Sequence, residues 1–288
     1  MRAFFTSLLA NRKASIGAGI VAFFLALAVF GPLVAPAGPN QRVGRSHEAP
    51  SAAHLMGTTR MGRDVLAQTI HGTRTSLLVG LSAGLMITAI GTAVGVTAGY
   101  IGGRLDEALN LITNVVLVIP NLPLMLVLAA FIGAASPATI ALIIAGTAWG
   151  WGARVTRAQT QSLRSRDYIH AAELLGEPTW RILACELLPN LVSILGFNFI
   201  GSVLYAVVTE ATLEFLGLGD ALKVSWGTML YNAQTTSALQ VGAWWEVACP
   251  CLALVLFGSG LSLINFAMDE VANPRLRTLR LKLKRVAA

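Results

Sequence analysis

The chain has 288 residues, 55% of them hydrophobic and 12% charged, with a formal net charge of +7. An average soluble domain is roughly 25% charged, so about half the usual charge is missing, and mean hydropathy reaches +0.67. Too few polar side chains remain to coat a globule, which excludes a soluble enzyme, a disordered regulator and a coiled coil, and leaves an all-α integral membrane protein. The three cysteines exclude a disulfide scaffold. Cys249 and Cys251 lie about 200° apart around a helix and read as apolar filler.

A helix crossing the hydrocarbon needs about 20 residues with few or no charges. Five stretches qualify, 14–41, 75–103, 108–153, 187–209 and 247–268. The third is long enough for two spans, with a break at Gly133-Ala134-Ala135-Ser136-Pro137, so six transmembrane helices are expected. In the first stretch, Ala35-Pro36-Ala37 looks like a leader cleavage site. The apolar run before it is near 20 residues, longer than a leader's core of about 7–15, so it reads as a retained span. Fifteen of the 21 Lys and Arg residues fall on the side of the N-terminus, the second and fourth loops and the tail. Both termini are therefore expected in the cytoplasm.

The second span carries Gly91, Gly95 and Gly99, a small residue at every fourth position. Such a stripe admits a close helix neighbour, within the chain or on another subunit. In the third span Pro120 and Pro123 each remove a backbone donor and are expected to kink the helix. Between spans four and five lies the most informative stretch, 154–190, too long for a simple turn. Asp167 can open a helix, and Gly176 can close it in the left-handed conformation. Glu177-Pro178 can then start a second helix, with Pro178 at its first position, and Pro189 is expected to end it before span five. The result is an ordered helix–Gly–helix elbow, with Ala171 and Ala172 as its small face.

Glu210 and Glu214 share one helix face near the outer end of span five. An intramembrane carboxylate is a functional candidate, but Gly217-Leu218-Gly219-Asp220 soon ends the helix, which favours a hydrated end. The window 224–245 is uncharged yet rich in Asn, Gln, Ser and Thr, and reads as an outer loop with a short interfacial helix, its Trp residues at the membrane–water boundary. The tail from Arg275 to Arg285 reads as a cytoplasmic flank that can also meet anionic lipid. All four histidines (His47, His54, His71, His170) lie outside the charge-free stretches, which argues against an intramembrane Ser–His hydrolase. None of Lys13, Lys223, Lys282 and Lys284 follows a glycine, so the chain has no P-loop lysine.

The elbow resembles the EAA loop of bacterial ABC importer permeases. Ala171, Ala172, Gly176, Leu188 and Pro189 fall at matching positions, while His170 stands for the leading Glu and Glu186 for an Ile. Two further stretches narrow the resemblance. The first is His54-Leu55-Met56-Gly57-Thr58-Thr59, Gly62-Arg63-Asp64 and Gly72 to Leu77, with Thr59 in place of the usual Asp. The second is Glu210-Ala211, Phe215 to Gly219 and Ser225-Trp226-Gly227, with Glu214 in place of the usual Ser. With Asn273-Pro274-Arg275, nearly the whole chain resembles the second (C-type) permease of dipeptide, oligopeptide and nickel importers.

That resemblance implies a type I importer permease fold in the inner membrane. Residues 1–76 would form the N-terminal segment, first span and an outer loop with a short pre-span helix. Residues 77–288 would form the permease core, with coupling loop 154–190 and outer loop 218–245. It implies four kinds of partner: a homologous second permease, two cytoplasmic ATPases, an extracytoplasmic binding protein and membrane lipid, with no nucleic acid. ATP and Mg would sit on the ATPases, with no cofactor, metal or catalytic residue on this chain. His170, Ala171, Ala172, Gly176, Glu186, Leu188 and Pro189 would face the ATPase. Glu210, Glu214, Pro120, Pro123 and the Gly91/Gly95/Gly99 stripe are candidates for the pathway or a subunit contact. Peptide is the substrate expected, with nickel or another small solute as alternatives. A proton-coupled carrier using Glu210 and Glu214 is the reading from another class.

Overall fold

The computed structural model describes residues 11–133, 135–220 and 222–272. The described part is helical, with only isolated bridges between extended residues. The helices are α1 (Arg12–Val34), α2 (Val65–Ile101), α3 (Gly103–Val118), α4 (Asn121–Ile132), α5 (Pro137–Ala148), α6 (Gly150–Arg164) and α7 (Asp167–Leu174). The continuous run Thr179–Phe215 is α8, followed by α9 (Trp226–Thr235) and α10 (Trp245–Ala272). Four of these, α1, α2, α8 and α10, are long and apolar enough to cross a membrane; with each of the bent pairs α3–α4 and α5–α6 counted as one span, the described residues reach the expected six. The basic tail and Asn273-Pro274-Arg275 lie outside the described residues.

Helix ends depart from the sequence expectation where a charge bounds the apolar stretch. No separate pre-span helix exists: residues 65–76 are the first turns of α2, capped by Asp64, whose Oδ1 accepts from the Ala67 N–H at 2.9 Å. At 37 residues, α2 is about 55 Å long, well beyond a hydrocarbon core of about 30 Å. Its polar first turns, with His71 and Arg74, extend past the apolar stretch.

The third span is broken rather than kinked. Pro120 adopts an extended conformation between α3 and α4, which meet at 84°. Pro123 falls in the first turn of α4, where its missing donor costs no helical bond. Pro189 likewise does not end a helix. It occupies the second position of the α-helical part of α8, directly after a π turn over Ile182–Leu187. In that wider turn the Leu188 N–H reaches back to the Leu183 carbonyl. The widening eases the clash a proline ring makes with the preceding turn, so the helix continues through it.

Helix α2 is the central post and packs most extensively on α6 and α8. The glycine stripe faces α6. A Cβ on Gly95 would lie 2.6 Å from the Ala153 carbonyl oxygen, and one on Gly99 2.7 Å from that of Arg157. At Gly91 the Ala153 backbone nitrogen would be 3.0 Å away. The stripe is therefore filled by this chain's own backbone. Arg157 grips Asp106 of α3 with Nε and Nη2 at 2.5 and 2.6 Å, tying α6 to α3 as well.

A second core joins α1, α2, α8, α9 and α10 around Trp226, Phe24 and Phe257. Phe24 and Trp226 meet edge to face at 5.7 Å. The outer segment thus holds the expected short helix, α9, but Trp226 is fully buried and Trp245 nearly so, leaving Trp244 exposed among that segment's tryptophans. Lys13 Nζ at the start of α1 lies 2.7 Å from Glu270 near the end of α10, so the first and last spans begin and finish side by side.

Candidate functional site

The elbow is built from backbone chemistry. Helix α7 ends in a Schellman motif: Gly176 has φ +76°, its N–H bonds to the Glu173 carbonyl, and the Glu177 N–H reaches the Ala172 carbonyl, both at 3.1 Å. Glycine takes that φ without the steric cost a β-carbon brings. Pro178 then turns the chain into α8 as its N-cap, so the helix starts at Thr179, one residue later than expected.

One side of α7 is anchored. Ile169 is fully buried with Tyr100, Ile182 and Leu187. Tyr100, at the end of α2, donates its hydroxyl to Glu173 Oε1 at 3.0 Å, and the Arg164 guanidinium lies 5.8 Å from the Tyr100 ring centroid. Asn190 of α8 donates through Nδ2 to the Tyr168 hydroxyl at 3.4 Å. The other side is open: Leu174 and Leu175 are 89% and 83% exposed, and Trp180 is 68% exposed. Large apolar side chains so exposed on an anchored, hydrogen-bonded turn make it a candidate contact surface.

Between α7 and α8 runs a groove of about 370 Å³, with Ala171 and Ala172 on one wall and Ile182, Cys185 and Glu186 on the other. His170 stands exposed on the outer edge, its Nδ1 3.4 Å from Glu173 Oε2. Leu188 and Pro189 lie one turn further along α8. The structure thus places six of the seven elbow residues on two adjoining helices and the seventh, Gly176, in the turn between them.

Glu210 and Glu214 lie at the opposite end of α8, roughly 36 Å along the axis from Glu186. They are not at a hydrated helix end: Glu210 is 0% and Glu214 2% exposed. The reason is α9, which folds back over them. Ser76 of α2 donates to Glu210 Oε1 at 3.1 Å and accepts from the Trp226 N–H at 3.2 Å. Ser225, the N-cap of α9, donates to Glu214 Oε2. The carboxyls therefore fasten α8 to α2 and α9. They do not line the large apolar groove between α8 and α10, about 920 Å³, which is walled by residues such as Val208, Phe215, Leu254 and Phe266. Pro120 and Pro123 are exposed at the α3–α4 bend, remote in sequence from both groups.

Sequence spacing missed the anchor made by Tyr100, Ile169 and Glu173, because its partners are some seventy residues apart. It also missed a clamp in the outer segment, where His47 Nδ1 lies 2.7 Å from buried Glu246 and Trp245 Nε1 donates to the Thr58 carbonyl at 3.1 Å.

A bundle of long apolar helices with an ordered elbow between its fourth and fifth spans defines a polytopic membrane protein. Comparison with known proteins specifies it. Residues 91–278 match the family described as binding-protein-dependent transport system inner membrane component. Residues 1–50 match the N-terminal TM domain of oligopeptide transport permease C. The dipeptide transport system permease protein DppC of Bacillus subtilis (strain 168) is 33% identical over 271 residues, covering 93% of this chain and 83% of the relative. The di/tripeptide transport system permease protein DppC of Pseudomonas aeruginosa (strain UCBPP-PA14) is 30% identical over 287 residues, covering 96% and 93%. The chain belongs to the family of inner-membrane components of binding-protein-dependent transport systems. It is a multi-pass permease subunit of an ABC importer.

Proposed function

We propose that this permease carries di- or oligopeptides into the cell, powered by two ATPase subunits that bind ATP and Mg and dock on the elbow. The observation that carries the coupling is the elbow itself, a hydrogen-bonded turn with an open apolar face outward and a buried anchor inward on α2. A docked subunit that moves α7 would push on Tyr100 and hence on the central post. Peptide as cargo is supported by the dipeptide and di/tripeptide permeases it is similar to. A homologous second permease would complete the pathway, and an extracytoplasmic binding protein would deliver substrate. The elbow, both termini and the basic tail would face the cytoplasm.

The test is purification of a tagged chain in mild detergent at native expression, then reconstitution of whatever co-purifies. Recovery of a second permease and P-loop ATPases, with ATP-dependent uptake of a labelled dipeptide by the vesicles, is expected. Recovery of this chain alone after crosslinking, or uptake driven by a proton gradient without ATP, overturns the reading.

A further inference from the structure

The elbow groove holds a charge that the fold leaves unanswered. Three ionic side chains line it, Glu177, Arg181 and Glu186. Arg181 is answered within the chain, its Nη1 2.8 Å from Glu177 Oε2. Glu186 is half-buried, and its main-chain carbonyl accepts from Asn190 Nδ2 at 2.6 Å. Its carboxylate makes no hydrogen bond or ion pair among the described residues. The groove therefore carries a net negative charge beside the small side chains of Ala171 and Ala172, which leave room for a long side chain to enter. One carboxylate with a self-paired arginine nearby is a poor cage for a metal ion, which takes several oxygen ligands at once. It is a good seat for a single organic cation, since a charge-assisted hydrogen bond strengthens as water is displaced.

Resting on the docking reading above, we propose that Glu186 receives a lysine or arginine side chain from the ATPase that docks on the elbow, and so discriminates the cognate ATPase from others. The apolar tips Leu174 and Leu175 would supply contact area. The groove would supply register and choice, because a partner presenting a neutral or acidic side chain there leaves a carboxylate desolvated and unpaired.

The test uses the complex that co-purifies with the tagged chain. Retention of the ATPase is measured against salt for the native chain and for Glu186→Gln, Glu186→Lys and, as a control on the apolar tips, Leu174→Asp. All are compared at equal membrane abundance. Glu186→Lys is expected to lose tenfold or more of the retained ATPase, and Glu186→Gln severalfold, with a weaker salt dependence than the native complex. Reversal of one basic residue on the ATPase surface should restore Glu186→Lys and no other variant. Native retention in both Glu186 variants, with loss in Leu174→Asp, overturns the inference and leaves elbow docking standing. Native retention in all three overturns the docking reading as well. Loss of the second permease rather than the ATPase from Glu186→Lys also overturns the inference, since the cation would then belong to that chain.

Discussion

Tyr100 and Glu173, seventy-three residues apart, are joined by a hydrogen bond of 3.0 Å between the phenolic hydroxyl and a carboxylate oxygen. The first closes α2, the central post of the bundle, and the second sits on the elbow helix α7. Below the bond, Ile169 fills the apolar contact between the same two helices. A displacement of α7 would thus reach α2 through a polar tie and a packed side chain together, and α2 is also the helix on which α6 and α8 rest.

Removing only the tie tests that route. A bond to a charged group is worth about 1.5–3 kcal/mol, and less where the carboxylate meets water, as Glu173 partly does. Tyr100→Phe should therefore leave the bundle folded but raise hydrogen exchange across 167–175 severalfold. In the assembled importer it should lower uptake per ATP hydrolysed. Tyr100→Ala, which also removes the packing on Ile169, should do more of both. Unchanged exchange in Tyr100→Phe would falsify the tie as a mechanical element.

Gly176 offers a cleaner test of the turn. An added Cβ meets nothing within 4 Å, so replacement has no steric neighbour to displace, but its φ of +76° remains. A side chain in that conformation costs about 1–2 kcal/mol, and asparagine bears it better than others. Gly176→Val should uncouple ATP hydrolysis from uptake at normal membrane abundance, and Gly176→Asn should keep most of the transport. Equal activity of the two variants would show that the left-handed turn is dispensable.

How much of this was legible in advance follows from which physics acts locally. The count of six spans was readable, because hydrocarbon tolerates few charges and the intervals between charges are set along the chain. The helix ends were not, since a charge such as Arg74 ends an apolar window without ending a helix. The Gly176 turn was readable because its hydrogen bonds span six residues. The burial of Glu210, Glu214 and Trp226 was not. Each depends on α9 folding back against α2 and α8, and a polar, Trp-containing segment looks the same in sequence whether it lies on water or on protein.

The buried fastening of α9 gives a third prediction. Glu214 accepts from Ser225, which also caps α9 through the Thr228 N–H at 3.1 Å. Replacing the acceptor with Leu leaves a buried hydroxyl short of its partner, at about 1–3 kcal/mol. Glu214→Leu should lower the thermal stability of the detergent-solubilised protein and open the 218–245 segment to proteolysis. Glu214→Gln, which keeps a carbonyl acceptor, should cost less. In a double-mutant cycle, Ser225→Ala should cost less once Glu214 is already Leu, the remaining cost being the lost N-cap of α9.

The glycine stripe supplies the sharpest steric prediction, because two glycines on the contacting helices differ in the room left for a Cβ. A Cβ on Gly95 would lie 2.6 Å from the Ala153 carbonyl oxygen and 2.9 Å from the Arg157 backbone nitrogen, atoms that cannot rotate away. A Cβ on Gly152 of α6 would meet nothing within 4 Å. Alanine is favoured over glycine in a helix interior by about 1 kcal/mol, so on local propensity both changes should stabilise. Overpacking a tight contact costs about 1–3 kcal/mol, and at Gly95 this outweighs the gain. Gly95→Ala should therefore lower the melting temperature in detergent, and Gly95→Leu should abolish accumulation in the membrane. Gly152→Ala should be neutral or stabilising. If Gly95→Ala were as stable as Gly152→Ala, α2 and α6 would have to sit further apart than described, and the stripe would again be free for a partner subunit.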